Sequence, residues 1–166
     1  MPAVAALIVL GIIAYAMTRQ ANATATGFAP NGFDDLYRYH AALHGLDWRL
    51  LKAIAVTESG ENPNAVNPSD PSYGLCQILC TGAEGDQLCT NRLNVPSWSG
   101  ATPNRLMDPA FNVQVAAEIL AWNIGQFGTD KGIAVYNMWA AYKTPAGSPF
   151  PNQEYVDRVK ANWGVA

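Results

Sequence analysis

Two segments of this chain carry their own start and stop signals for a helix. The rest of the molecule has to be arranged around those two rods. Asp47 stands in an N-cap position ahead of Trp48-Arg49-Leu50-Leu51-Lys52-Ala53-Ile54-Ala55-Val56-Thr57-Glu58-Ser59, and Gly60 ends the run. Asp108-Pro109 pairs an N-cap with proline at the first helical position, and the apolar pattern behind it reaches Phe127 before Gly128. Weaker helical patterns cover residues 33–44, 130–142 and 153–163, the first closed by Gly45. Residues 60–72 contain three prolines and are expected to be a loop, followed by a short apolar element over 73–79. Residues 80–107 are rich in Gly, Asn, Pro and Cys and are expected to be a long irregular excursion. No series of alternating residues is long enough to build a sheet. The fold class is therefore mostly α.

The first of the two capped helices contains an anomaly. Its apolar stripe runs Leu51, Ile54, Ala55, and the next position on that stripe is Glu58. A carboxylate is thus aimed inward from the last turn. Desolvation and the negative end of the helix both raise the pKa of such a group. Glu58 is the leading candidate for a general acid. A structural acid with one satisfied hydrogen bond is the bland alternative.

Composition narrows the function classes. Ten Lys and Arg against thirteen Asp and Glu give a net charge of -3, with no basic block. Nucleic-acid binding, which needs a positive face for the phosphates, is excluded. Hydrophobic residues make up 49% of the 166 residues, enough for a buried core in a single domain.

Residues 1–18 carry no charged side chain, and Arg19 is the first charged residue. This hydrophobic segment is slightly short of the ~20 residues that span a bilayer comfortably. Residues 1–19 are read as a transmembrane anchor or a signal segment, with Ala21-Asn22-Ala23 and Ala23-Thr24-Ala25 as possible cleavage sites. Residues 20–32, mostly Ala, Thr, Asn and Gly, read as a flexible tether, which leaves 33–166 as the folded domain.

His40 and His44 lie four apart and could share a helix face as metal ligands, but they lack a companion glutamate and a third ligand. They are expected to be two partly exposed helix histidines. Of the three cysteines, Cys80 and Cys89 bracket a Gly-rich segment with little else to hold it. They are expected to pair, leaving Cys76 as a buried thiol; Cys76 with Cys80 is the competing pair. Trp48, Trp122, Trp139 and Trp163 fall in helical patterns and are expected to pack in the core. Tyr73 and Trp98 adjoin loops and are candidates to touch a ligand.

The order of motifs carries more than any one of them. Glu58-Ser59, Asn62-Pro63-Asn64-Ala65-Val66 and Tyr73-Gly74-Leu75-Cys76-Gln77-Ile78 resemble the soluble lytic transglycosylase domain, a relative of goose-type lysozyme. Asp108-Pro109 with Asn112-Val113 and Ile119-Leu120 is similar to the family's second block, Tyr136-Asn137 to its third, and Tyr155-Val156 with Arg158-Val159 to its closing helix. Two departures stand out. Cys76 occupies a position often held by Met, and Asn67 stands where many members have Ser.

The resemblance implies a lysozyme-like α-helical domain with a glycan groove, acting on peptidoglycan between N-acetylmuramic acid and N-acetylglucosamine without cofactor or metal. Glu58 would be the single catalytic acid/base. Ser59, Asn67, Gln77, Tyr136 and Asn137 would bind substrate, with Tyr136 hydrogen-bonding near the acid. The rival second carboxylates are Glu61, Asp70, Glu84 and Asp86, all on polar loops. If none faces Glu58, the substrate completes the reaction with its own 6-hydroxyl and leaves a 1,6-anhydro end. The alternatives are a hydrolytic muramidase on the same fold and a membrane-tethered glycan-binding protein without activity. The implied partners are peptidoglycan strands, the membrane through residues 1–18, and a phage particle or secretion apparatus. The implied location is the periplasm, anchored to the inner membrane or released, or a virion.

Overall fold

The computed structural model describes residues 32–90 and 95–166. The expected anchor and nearly all of the expected tether lie outside them. The chain divides into a unit up to Asp35 and a second from Leu36 to Ala166, and the fold described below is that of the second.

Among the described residues six α-helices appear in order: α1 (Asp34–His44), α2 (Trp48–Ser59), α3 (Pro103–Leu106), α4 (Pro109–Phe127), α5 (Thr129–Asn137) and α6 (Gln153–Val165). The capping signals act as their chemistry requires. The Asp47 carboxylate accepts from the Arg49 N–H at 2.9 Å, and Asp108 accepts from the Phe111 N–H at 2.9 Å. Leu51, Ile54 and Ala55 of α2 are fully buried. Asn162 of α6 donates to the Thr57 hydroxyl, and the Trp163 indole donates to Asp47, so α6 is fastened to both ends of α2. α4 supplies the longest buried face, and α5 folds back on it directly after Gly128. A Cβ on Gly132 would come within 2.8–2.9 Å of Ile124, so this close crossing of α4 and α5 needs glycine.

Three expectations are corrected. The stretch 60–79 is not a loop followed by one short apolar element. It holds three two-residue antiparallel strands in the order β1-β2-β3: β1 (Val66–Asn67), β2 (Ser72–Tyr73) and β3 (Ile78–Leu79), with Asn67 opposite Ser72 and Ser72 opposite Leu79. The helix expected over 130–142 stops at Asn137, and residues Trp139–Lys143 form a separate 3-10 turn. The irregular excursion contains a second 3-10 turn, Pro96–Gly100, and the short α3. Ser97 ties this turn to α4: its N–H and its hydroxyl both bond Glu118, and its hydroxyl accepts from Gln114. Cys80 and Cys89 are joined, and Cys76 is free and buried.

The tryptophans also differ from expectation. Trp48 and Trp163 are only partly buried, while Trp122 and Trp139 are exposed. Trp98, a candidate to touch a ligand, lies in the Pro96–Gly100 turn and is buried. Arg38 covers the Trp48 ring at 3.7 Å, which explains how that ring can remain at the surface.

Candidate active site

Glu58 reaches a cleft of about 460 Å³, within the range of small-ligand sites. α2 supplies Glu58; the small sheet supplies Asn67, Ser72, Ile78 and Leu79; α4 supplies Ile119 and Asn123; α5 and the turn after it supply Val135 to Trp139. Burial pushes the Glu58 carboxyl up to about 7, against the opposing pull of a hydrogen bond from Tyr155 and the positive charge of Arg158. The Tyr155 hydroxyl donates to Glu58 Oε1 at 2.6 Å. Burial also holds the Tyr155 phenol well above its ordinary pKa, so it keeps its proton and remains a donor.

The turn opposite Glu58 is held by one buried side chain. Asn112 accepts from the Cys76 N–H at 2.8 Å and donates to the carbonyls of Tyr73 at 2.7 Å and Leu106 at 2.9 Å. Gly74 passes so close that an added Cβ would sit 2.5 Å from Asn112 and from the Leu106 carbonyl, and its φ of +74° belongs to the left-handed region. Gln77 follows at φ +47°, a position rare for a residue with a side chain. Its amide nitrogen donates to the carbonyls of Ala65 and Gly74, which fixes the carboxamide on the cleft wall. The Gly-Leu-x-Gln block and the Asn112 block are therefore one device, built from segments 36 residues apart.

Among the residues singled out from sequence, Glu58, Asn67, Gln77, Trp98, Tyr136 and Asn137 all line this cleft. Ser59 and Tyr73 do not. The Ser59 hydroxyl donates toward the Leu75 and Ala55 carbonyls, a bracing position beneath the turn. Tyr73 pairs with Val66 and Ile78 in the small sheet and does not reach the cleft, although its neighbour Ile78 does. The Tyr136 hydroxyl bonds the Cys76 carbonyl at 2.9 Å, so the direct contact to the acid belongs to Tyr155 instead.

The other carboxylates separate cleanly. Asp70 is on the exposed rim of the cleft; Glu61 accepts from Tyr37, and Asp86 accepts from Asn104. Glu61, Glu84 and Asp86 do not line the cleft. His40 is buried rather than partly exposed, and burial together with His44 pushes its pKa down to about 4. Among the described residues no group of three or more His, Cys, Asp or Glu could hold a metal.

Two site residues were missed. Tyr155 lies on the apolar stripe of α6 with Val156 and Val159 and reads as core. Asn123 is fully buried, and neither Oδ1 nor Nδ2 has a hydrogen-bond partner among the described residues; the buried Trp98 Nε1 likewise has none there. Both residues line the cleft, while these polar atoms themselves have almost no exposed surface. Asn123 falls three and four residues after Leu120 and Ile119, on the same buried stripe. The signal that exposed Glu58 was present for Asn123 too.

Comparison with known proteins agrees with this geometry. The Transglycosylase SLT domain model matches residues 35–161. The soluble lytic murein transglycosylases of Escherichia coli K12 and O157:H7 are each 29% identical over 111 residues, which is 65% of this chain and 16% of the relative. The chain therefore spans less than a fifth of the length of these relatives. An inactive mutant of the lytic transglycosylase Slt from Pseudomonas aeruginosa superposes with a TM-score of 0.60 at 18% identity, over 82% of this chain and 24% of that one. That likeness extends the agreement to the fold. Residues 35–161, which hold the whole cleft, belong to the transglycosylase SLT domain family.

Proposed function

We propose that this domain is a peptidoglycan lytic transglycosylase in which Glu58 serves as acid and then as base. The observation that carries the reading is a cleft-facing carboxyl whose pKa, raised to about 7, keeps a large share of it protonated in neutral surroundings, beside a fixed phenol donor. In the first step neutral Glu58 gives its proton to the glycosidic oxygen, and the bond from that oxygen to the muramic acid C1 breaks. The N-acetyl carbonyl of the same sugar stabilises the developing positive charge. In the second step the Glu58 carboxylate takes the proton of the 6-hydroxyl, whose oxygen closes on C1. The acid is restored, and no water is consumed. Asn67, Gln77, Trp98, Tyr136 and Asn137 line the path of the strand, with Asn123 buried in its wall. Cys76 stands outside the chemistry: burial pushes its thiol far up, and it stays neutral.

One observation favours a second reading. Asp70 shares the cleft with Glu58, so a hydrolase with two carboxylates is the competing mechanism. Glu58→Gln and Asp70→Asn separate the two when assayed on purified peptidoglycan. The proposal expects Glu58→Gln to lose ~10²–10⁴-fold or more, and Asp70→Asn to keep most of the activity. Equal losses would assign a catalytic role to Asp70 and overturn the single-carboxylate mechanism.

The substrate sets the location. Peptidoglycan lies outside the cytoplasmic membrane, so the domain is proposed to act in the periplasm, where the Cys80–Cys89 bond is stable. Residues 1–18 are the proposed export segment. No helix among the described residues is long and apolar enough to cross a membrane.

A further inference from the structure

Beside the cleft, the surface carries more ring area than packing explains. Trp139 is 46% exposed, Trp122 38% and Tyr142 36%. They form one run. The Trp122 and Trp139 rings lie within 25° of parallel with centroids 6.3 Å apart, and Tyr142 continues from Trp139 at 5.1 Å. Phe127 meets Trp122 edge-on at 6.0 Å, which props the run from α4. Trp139 also lines the Glu58 cleft, so the run starts at the cleft wall and leads away from it. Contiguous exposed apolar surface of this kind marks a binding face. Rings that brace one another lose little freedom when a ligand covers them.

We propose that Trp139, Trp122 and Tyr142 form a stacking platform that extends the glycan groove beyond the sugars held at Glu58. The inference rests on the proposed function, because continuity with that cleft identifies the occupant as a glycan strand. Each pyranose presents a face of C–H groups to the negative face of an aromatic ring, while its hydroxyls stay at the edge in water. Such contacts need no hydrogen-bond match, so they tolerate a strand carrying peptide at some sugars and none at others. Lys143, 5.6 Å from the Tyr142 ring, places a positive charge at the outer end, suited to carboxylates along the strand.

The test uses the full chain carrying Glu58→Gln, so that bound glycan is not cleaved. Calorimetric titration with β-1,4-linked N-acetylglucosamine oligomers of increasing length gives affinity as a function of length. Affinity is expected to rise with length. Trp122→Ala and Tyr142→Ala should each lower affinity for the longest oligomer by roughly tenfold, as expected for returning about 50 Å² of apolar ring face to water. The ratio between longest and shortest oligomer then collapses. Trp122→Phe and Tyr142→Phe retain a ring face and should restore most of that ratio, which separates stacking from misfolding. A length dependence untouched by both alanine variants overturns the platform, even if the parent chain cleaves peptidoglycan and the proposed function stands. Loss of sedimentation with phosphatidylglycerol vesicles in the same variants, with oligomer binding unchanged, assigns the patch to lipid and also overturns it. A Glu58→Gln chain that binds no oligomer of any length, from a parent that cleaves no peptidoglycan, removes the proposed function and the platform with it.

Discussion

The Tyr155 hydroxyl donates to Glu58 Oε1 at 2.6 Å, joining the last turn of α2 to the first turn of α6 across 97 residues of sequence. This bond favours the charged form of the acid, while burial favours the neutral form more strongly, and the carboxyl ends at about 7. Removing the donor removes a lowering influence. Tyr155→Phe should therefore move the alkaline limb of the pH–activity profile to higher pH, with the wild-type limb centred near 7. A limb that stays in place, or moves to lower pH, would show that Tyr155 does not tune the acid.

The same displacement makes Glu58 a destabilising group. Its folded pKa of about 7 lies above the ordinary 4.5 of the unfolded chain, so the folded state holds the proton more tightly between those values. Stability should fall as pH rises through that window, with the full cost present above 7. Glu58→Gln is expected to unfold later than wild type at pH 8, by on the order of 1 kcal/mol after allowance for partial exposure. At pH 5 the two proteins should nearly coincide. Chemical denaturation at both values measures the difference, and an equal gain at pH 5 would contradict the assignment.

Asn112 shows how much one buried amide can organise. It serves the Cys76 N–H and the Tyr73 and Leu106 carbonyls at once. Asn112→Ala leaves all three unpaired in a dry site, and a loss of roughly 2–4 kcal/mol is expected by chemical denaturation. Activity should fall alongside, because Gln77 is positioned by the same turn.

Asn123 predicts the opposite sign. Its carboxamide is buried without a partner among the described residues, so Asn123→Leu removes desolvated polar atoms and keeps similar volume. Stability should be unchanged or increased, while KM on peptidoglycan rises several-fold. A loss of stability with unchanged KM would make Asn123 a structural residue.

Sequence reading reached the helices whose ends are set by local chemistry. Asp47, Gly60, Asp108 and Gly128 each act within a turn of themselves, so their effect is visible in the neighbouring letters. The stripe that placed Glu58 is equally local. The two-residue strands were hidden because each is too short to show an alternating pattern, although Tyr73 pairs with neighbours as close as Val66 and Ile78. Tyr155 was hidden for another reason: on α6 it looks like core, and only the packing of α6 on α2 brings its hydroxyl to the acid. The exposure of Trp122 could not be read from helical periodicity, because α4 is apolar on nearly every side, and that of Trp139 was hidden because the helix expected to carry it stops at Asn137.

The central claim is that one carboxylate and the substrate's own hydroxyl complete the reaction. Digestion of purified peptidoglycan with the full chain, followed by mass analysis of the muropeptides, tests it most directly. The expected products end in 1,6-anhydro-muramic acid, one water lighter than hydrolysed ends, and disappear with Glu58→Gln. Products carrying the mass of the added water, formed by the wild-type chain and dependent on Asp70, would contradict it.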